Sequence, residues 1–194
     1  MADYFTADTH LGHAKIIVLA KRPFADVTEM DERIISNWNR LVTDADDVWH
    51  LGDVSMRNPA RFLAKLKGRI HLIKGNHDKF TDAKARQMFH SVHDVKMVTI
   101  GKQQIWLSHY AHRVWPKAHY GVWHLYGHSH GTLPDLGNCS IDVGVDARRH
   151  YFNASTLEEG KANYRPWTLE EIRALMAARG HQPVDHHGVK EEEL

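Results

Sequence analysis

Five short segments carry side chains that bind metals: Asp8-Thr9-His10, Gly52-Asp53, Gly75-Asn76-His77-Asp78, His109 and Gly127-His128-Ser129-His130. Each follows an apolar run that reads as a β-strand. Carboxylate, amide and imidazole ligands delivered in this way suggest a site for two metal ions. Two metals held close together are a standard device for cleaving phosphate esters. The donor set is oxygen and imidazole without thiolate. That suits manganese, iron, zinc or nickel, and affinity order alone does not choose among them.

The elements that must position these residues can be read from periodicity. Residues 2–6 read as a first strand, with Asp8 and His10 just past its end. A short helix follows over Lys15–Lys21 and stops at Arg22-Pro23. Met30, Ile34, Ile35, Trp38 and Leu41 recur with a helical period, so an amphipathic helix is predicted over Thr28–Leu41 with Thr28 as its cap. Asp47–Leu51 is the next strand. Pro59–Lys67 reads as a helix opened by proline and stopped by Gly68. Arg69–Lys74 is a strand, and Thr81–Phe89 is helical. The rhythm then turns to strands: Val95–Ile100 and Gln103–Leu107 flank a hairpin signal at Gly101-Lys102, and Val122–Tyr126 and Ser140–Val145 follow. Trp167–Arg179 is predicted as a terminal helix closed by Gly180. An alternating βα half followed by a strand-rich half implies packed sheets with helices outside.

In such a sheet, loops at the carboxyl ends of the strands gather over one edge, where ligands bind. Asp8 and His10, like His128 and His130, are two residues apart. An extended backbone would put each pair on one face, and a turn would also let both reach one ion. The glycines before Asp53, Asn76 and His128 are read as permitting sharp bends.

The chain has 194 residues, 42% of them apolar, which suits one domain with a substantial core. Residues 1–180 are expected to form that domain and 181–194 a disordered polar tail. The start of the chain runs into a strand and shows no signal-peptide pattern, and no run is apolar enough to span a bilayer. A single cysteine, Cys139, rules out an internal disulfide and fits a reducing cytoplasm. The net charge of +1 implies no polyanion partner by itself. Among 17 histidines, five sit in the metal-binding segments and the others show no obvious arrangement.

The constellation resembles the calcineurin-like metallophosphoesterase superfamily. The family pattern is Asp-x-His, Gly-Asp, Gly-Asn-His-Asp/Glu, a lone His, then Gly-His-x-His, and all five blocks occur here in order. Leu11-Gly12-His13 after the first block is similar to the small bacterial and phage phosphoesterases of that superfamily. The resemblance implies a single-domain, four-layered αββα sandwich of two mixed sheets. It implies two divalent ions, manganese foremost, with iron, zinc or nickel as alternatives. One would be held by Asp8, His10, Asp53 and His130, the other by Asp53, Asn76, His109 and His128, with Asp53 bridging. It implies hydrolysis of a phosphoester by in-line attack of hydroxide generated between the metals. His77, not itself a ligand, would stabilise the transition state or protonate the leaving oxygen. Asp78 would orient His77 or stand as an exposed carboxylate in a turn.

The expected activity is a phosphodiesterase acting on a nucleotide or small diester. A phosphomonoesterase, a protein phosphatase and a non-catalytic scaffold remain as alternatives. A nucleic acid is expected only as substrate, a membrane is not expected, and the oligomeric state is left open. His13, Arg22, His112 and Arg113 lie near the ligand segments and could contact a substrate phosphate or stand as surface or helix-end charges. Trp115, His119, Tyr120, Trp123 and His124 could form a base-stacking wall for a nucleotide, or core and pocket lining. Residues 148–164, with Arg148, Arg149, His150 and Tyr151, are an extra segment open to three readings: specificity loop, subunit contact or surface excursion.

Overall fold

A computed structural model describes residues 1–79, 83–180 and 184–185. Two mixed sheets pack face to face. The first has the order β4-β3-β2-β1-β9. Its strands are β1 (Asp3–Thr6), β2 (Asp47–His50), β3 (Arg69–Ile73), β4 (Ser91–His93) and β9 (Trp167–Thr168). The second has the order β5-β6-β7-β8. Its strands are β5 (Val95–Ile100), β6 (Gln103–Ser108), β7 (Trp123–Tyr126) and β8 (Ser140–Asp142). β1 to β4 run parallel and β9 pairs antiparallel with β1; β6 to β8 run parallel and β5 pairs antiparallel with β6. Alternation sorts the side chains. Phe5 and Ile73 of the first sheet meet Ile105, Leu107, Leu125 and Ile141 of the second in one buried core. On the other face of the first sheet, Tyr4, Val48, Ile70 and Leu72 pack with Trp38 and Leu63 of the helices α2 (Val27–Leu41) and α3 (Pro59–Leu63). This is the sandwich of two mixed sheets with helices outside that the sequence predicts.

The differences are local. The cap of α2 is Asp26, not Thr28: its carboxylate accepts from the N–H groups of Thr28 and Glu29, which an acceptor one position inside the helix does less well. The first helix, α1, spans Ala14–Leu19, and α3 stops at Leu63, short of Lys67. The helix expected over Thr81–Phe89 is α4 (Ala83–Gln87), with residues 81–82 outside the description. Ser91–His93 is a strand the sequence reading lacks; it extends the parallel register beside β3. Trp167 and Thr168 are strand rather than helix. Trp167 is fully buried opposite Phe5, and Thr168, extended at ψ 155°, ends the strand and caps the helix α6 (Leu169–Ala177) through a reciprocal bond with Glu171. The unassigned segment 148–164 holds a helix, α5 (Leu157–Ala162), after a 3₁₀ turn at Ala147–His150. Of the expected tail, only residues 184–185 are described. Among the described residues no helix is long and apolar enough to cross a membrane.

Candidate metal centre

The segments that follow β1, β2, β3, β6 and β7 converge. Past the end of β1 and β2 the two loops continue side by side, with Asp8 N donating to Gly52 O (2.9 Å), His10 N to Asp53 O (3.0 Å) and Leu11 N to Val54 O (3.0 Å). Of the two geometries open to Asp-x-His, the turn is the one adopted. Asp8 (φ 56°), His10 (49°), Asp53 (60°), His128 (66°) and His130 (49°) all hold left-handed backbone. For non-glycine residues that conformation costs roughly 1–2 kcal/mol each. Such strain persists where the surroundings over-determine it, commonly at functional sites.

The glycines serve two purposes. Gly52 bends at φ 96°, as expected. Gly75 is not at positive φ and instead permits close approach: a Cβ there would lie 2.2 Å from Asp53 Oδ1. Gly127 is similar, with a Cβ placed 2.5 Å from that of Ala7.

Asp53 stands at the middle. Its Oδ2 lies 3.6 Å from His10 Nε2, 3.7 Å from His109 Nε2 and 4.0 Å from His77 Nε2. These separations are too long for hydrogen bonds. Those of His10 and His109 suit donors arranged around shared cations. Asp8, His10 and His130 offer ligand atoms within 4.8 Å of one another, and so do Asp8, Asp53 and His109. Asn76 Oδ1 faces His109 Nε2 and His128 Nδ1, each at 3.1 Å.

Three observations test whether these residues fit metal ions. Both ring nitrogens of His10 and Oδ1 of Asp8 are buried without a hydrogen-bond partner. Such orphaned polar atoms are costly unless something absent from the protein itself satisfies them. His109 Nδ1 lies 2.7 Å from Leu51 O, a carbonyl that can only accept. The proton therefore sits on Nδ1, which leaves Nε2 as a lone pair facing the Asn76 oxygen, an arrangement a shared cation reconciles. Finally, Asp8, Asp53, Asp142 and Asp146 are all buried with Arg22 as the buried cation among them. Burial, then the neighbouring Asp142, Asp53 and Asp146, pushes the Asp8 carboxyl well above its usual range. Burial, with Arg22 behind it, pulls the His10 imidazole down to about 2, so it is neutral with its lone pair available. Burial also lowers His128. A divalent cation held here would offset the excess negative charge and accept the free lone pairs.

The remaining predicted residues fall in different places. His77 sits at the rim, its side chain 40% exposed, and its backbone N–H donates to Asp53 Oδ1 at 2.9 Å. Asp78 is buried, not exposed, and its carboxylate accepts from Asp53 N (2.7 Å), Gly75 N (2.8 Å) and Val54 N (3.1 Å). It ties the β2 and β3 loops together; none of these bonds reaches the His77 side chain. Arg22 is not a phosphate ligand here. It is buried, and its five N–H donors go to Asp146 Oδ1 (3.0 Å) and Oδ2 (2.8 Å), Thr9 O (2.9 Å), Asp8 O (2.6 Å) and Met30 Sδ (3.4 Å). His13 lines the cleft over the centre, its ring 5.5 Å from that of His10. His112 and Arg113 line a separate cavity of about 390 Å³ beside Tyr126 and Pro134. Trp115, Trp123 and His124 are buried core rather than a stacking wall.

Two carboxylates that sequence reasoning missed hold the candidate ligand loops. Asp146 Oδ2 lies 2.7 Å from His130 Nδ1 and so orients that ring. Against the cost of burial, the charge of Arg22 and bonds from His130 and Arg22 keep Asp146 low. Asp142 accepts from Gly131 N (2.8 Å) and Gly144 N (2.7 Å), and burial raises it to about 6. The Asp-x-Gly-x-Asp spacing over 142–146 was the available signal, read only as a strand.

Comparison with known proteins agrees. Residues 1–145 match the model of the calcineurin-like phosphoesterase superfamily domain. The chain is similar to uncharacterized protein MJ1445 of Methanocaldococcus jannaschii, 46% identical over 82 residues, spanning 40% of this chain and 47% of that one. It is 33% identical over 81 residues to the gene 66 protein of Mycobacterium phage L5, covering 39% of each. The chain thus spans less than half the length of these two relatives. The gene 66 protein of Mycobacterium phage D29 is 28% identical over 177 residues, 74% of this chain and 87% of its own. A protein of unknown function from Aquifex aeolicus, AQ665, shares the fold, with a TM-score of 0.65 at 22% identity over 90% of this chain and 98% of that one. With three quarters of its length matched and the candidate ligand residues all inside that span, the chain belongs to the calcineurin-like phosphoesterase superfamily.

Proposed function

We propose that the chain is a dinuclear-metal-dependent phosphodiesterase acting on a nucleotide or small diester. The observation that carries this reading is Asp53, with the His10 and His109 imidazole nitrogens 3.6 and 3.7 Å from one of its oxygens, and a His10 ring whose nitrogens have no protein partner. Asp8, His10, Asp53 and His130 would hold one ion, and Asp53, Asn76, His109 and His128 the other, with manganese the first candidate. Such a pair supplies a hydroxide nucleophile at neutral pH and offsets charge on the phosphate oxygens.

The chain's own residues do the rest. Arg22, Asp146, Asp142 and Asp78 fix the ligand loops so that no reorganisation is needed at the moment of reaction. His77 would donate a proton to the departing ester oxygen, a role its half-exposed position at the rim supports. His13 faces the same cleft and is assigned to the substrate phosphate. The preference for diesters is supported by Ile16, Leu19 and Leu133 in the cleft wall, an apolar surface for an organic group on the phosphate.

Hydrolysis of bis(p-nitrophenyl) phosphate and p-nitrophenyl phosphate, each with added Mn²⁺ and then with chelator, tests the reading. Chelator-sensitive turnover that favours the diester is expected. Turnover favouring the monoester would make the chain a phosphomonoesterase. No turnover across a wider panel of phosphoesters would return it to the scaffold reading.

A further inference from the structure

The cleft that opens from the metal centre has a volume of about 690 Å³ and extends past the ligands. Two cations, Lys21 and Arg149, line it together with Ile16, Leu19 and Leu133. Neither cation is used by the chemistry assigned above. Arg149 is exposed and pre-positioned: Nη1 donates to Ala20 O at 3.0 Å and Nε lies 3.5 Å from His150 Nε2, while Nη2 has no protein partner among the described residues. Lys21 follows directly on Ala20 and has no acidic partner among the described residues. It holds φ 53°, at the turn where Arg22 swings into the interior. The turn that buries Arg22 therefore leaves Lys21 lining the cleft, on the segment that anchors Arg149.

The charge of a scissile phosphate is met at the metal centre, so a further guanidinium and ammonium in the same cleft call for a further anion. A guanidinium with an unused fork fits a phosphate oxygen pair, and an ammonium fits the same group as a point charge. Leu19, 72% exposed, and Leu133 give the wall an apolar stretch that inorganic polyphosphate would leave in water. Arg149 lies beyond residues 1–145, in the segment between β8 and α5 that sequence reading could not assign.

We infer that Lys21 and Arg149 form a subsite for a second phosphate, and that the substrate is a nucleotide-type phosphodiester bearing one. This deepens the phosphodiesterase reading and rests on it. The test compares the p-nitrophenyl ester of thymidine 5′-phosphate with the same ester carrying an additional 3′-phosphate, and with one carrying a 3′-linked thymidylate, on the metal-loaded full chain. The wild-type protein is expected to favour the two-phosphate esters by about ten-fold or more in kcat/KM, the scale of one charge-assisted contact. Preference for the terminal 3′-phosphate would identify a nucleoside bisphosphate, and preference for the internal one a strand. Arg149→Met with Lys21→Ala should bring the ratio close to one, and Arg149→Lys should leave it intermediate. A wild-type ratio near one, or a ratio the double variant does not change, would overturn the subsite. Calorimetric binding of thymidine 3′,5′-bisphosphate against thymidine 5′-phosphate separates the two readings. If no ester is hydrolysed but the bisphosphate still binds more tightly and loses that advantage in the double variant, the phosphodiesterase reading fails and the subsite stands.

Discussion

Histidine and aspartate cluster at both ends of the first sheet, and the two clusters are built in opposite ways. From the starts of β2, β3 and β4 inward, Asp47 accepts from Arg69 Nε (2.8 Å) and lies 3.0 Å from His71 Nε2; His71 Nδ1 meets Ser91 Oγ at 2.8 Å, and Ser91 Oγ lies 3.0 Å from His93 Nε2. Trp49 stacks on His71 with ring centroids 4.2 Å apart. Both ring nitrogens of His71 are satisfied, and the backbone is ordinary strand. Past the far ends of the same strands, His10 has neither nitrogen satisfied, Asp8 has an orphaned oxygen, and five ligand candidates sit in left-handed backbone. Residue type alone does not separate scaffold from site here. The state of the His and Asp side chains does: where they complete one another the cluster is a brace, and where they are left incomplete on strained backbone it is a candidate for a ligand.

The strongest way to break that distinction is to remove the residue common to both proposed ions. Asp53→Ala is expected to abolish hydrolysis of bis(p-nitrophenyl) phosphate and the rise in melting temperature on adding Mn²⁺. Metal at a hundred times its dissociation constant stabilises the folded state by about 2.7 kcal/mol, a shift that differential scanning fluorimetry resolves. Asp47→Ala, at the other end, should keep the full Mn²⁺ response. Equal responses in the two variants would mean the clusters do not differ in the way described.

His77→Ala sharpens the distinction within the site itself. Loss of a general acid costs about 10²–10⁴ in turnover, while metal content measured by mass spectrometry should stay at the wild-type level. If metal content falls in step with turnover, His77 is a ligand and the assignment of a proton donor is lost.

How much of this was legible in the sequence follows from what each residue answers to. The ligand segments could be found because strand ends are marked by apolar runs and the donors sit directly after them. The two-sheet architecture could be read for the same reason, since alternation and helical period are local. β4 and β9 were missed because they are short and depend on partners distant in sequence: Trp167 is extended because it pairs with Phe5, not because its neighbours favour a strand. Arg22 was misjudged for a related reason. Arg22-Pro23 reads locally as a helix stop, and only the fold brings Asp146 to within 2.8 Å of Arg22. Asp142 and Asp146 were likewise invisible as braces, since their partners Gly131, His130 and Arg22 lie on other elements.

Asp146 tests whether a completed cluster can set up an incomplete one. It bridges Arg22 and His130, so it belongs to the scaffold on one side and to the site on the other. Asp146→Asn keeps the shape but weakens the acceptor facing His130. Metal affinity should fall by about 10–100-fold, the usual cost of losing such a partner, with a smaller loss of turnover at saturating Mn²⁺. Titration of Mn²⁺ against activity separates the two effects. A fall in turnover that saturating metal does not reduce would assign Asp146 to the reaction rather than to positioning.

The smallest effect belongs to the completed cluster and is read through pH. Hydrogen bonds from Arg69, opposed by partial burial and aided by His71, hold Asp47 at about 2, below its ordinary 3.8. A carboxyl depressed in the folded state adds stability that is fully present above its unfolded value and disappears as pH falls through its folded value. The window therefore runs from about pH 4 down to about pH 2. Because the pair is partly open to solvent, its contribution is on the order of 1 kcal/mol. The difference in denaturant midpoint between wild type and Asp47→Asn reads it, since titrating groups that do not touch Asp47 change both proteins alike. That difference should narrow between pH 4 and pH 3. A difference that stays constant to pH 3 would mean that Asp47 contributes through neutral hydrogen bonds. The brace would then be held by geometry rather than by charge, leaving charge imbalance as a property of the metal centre alone.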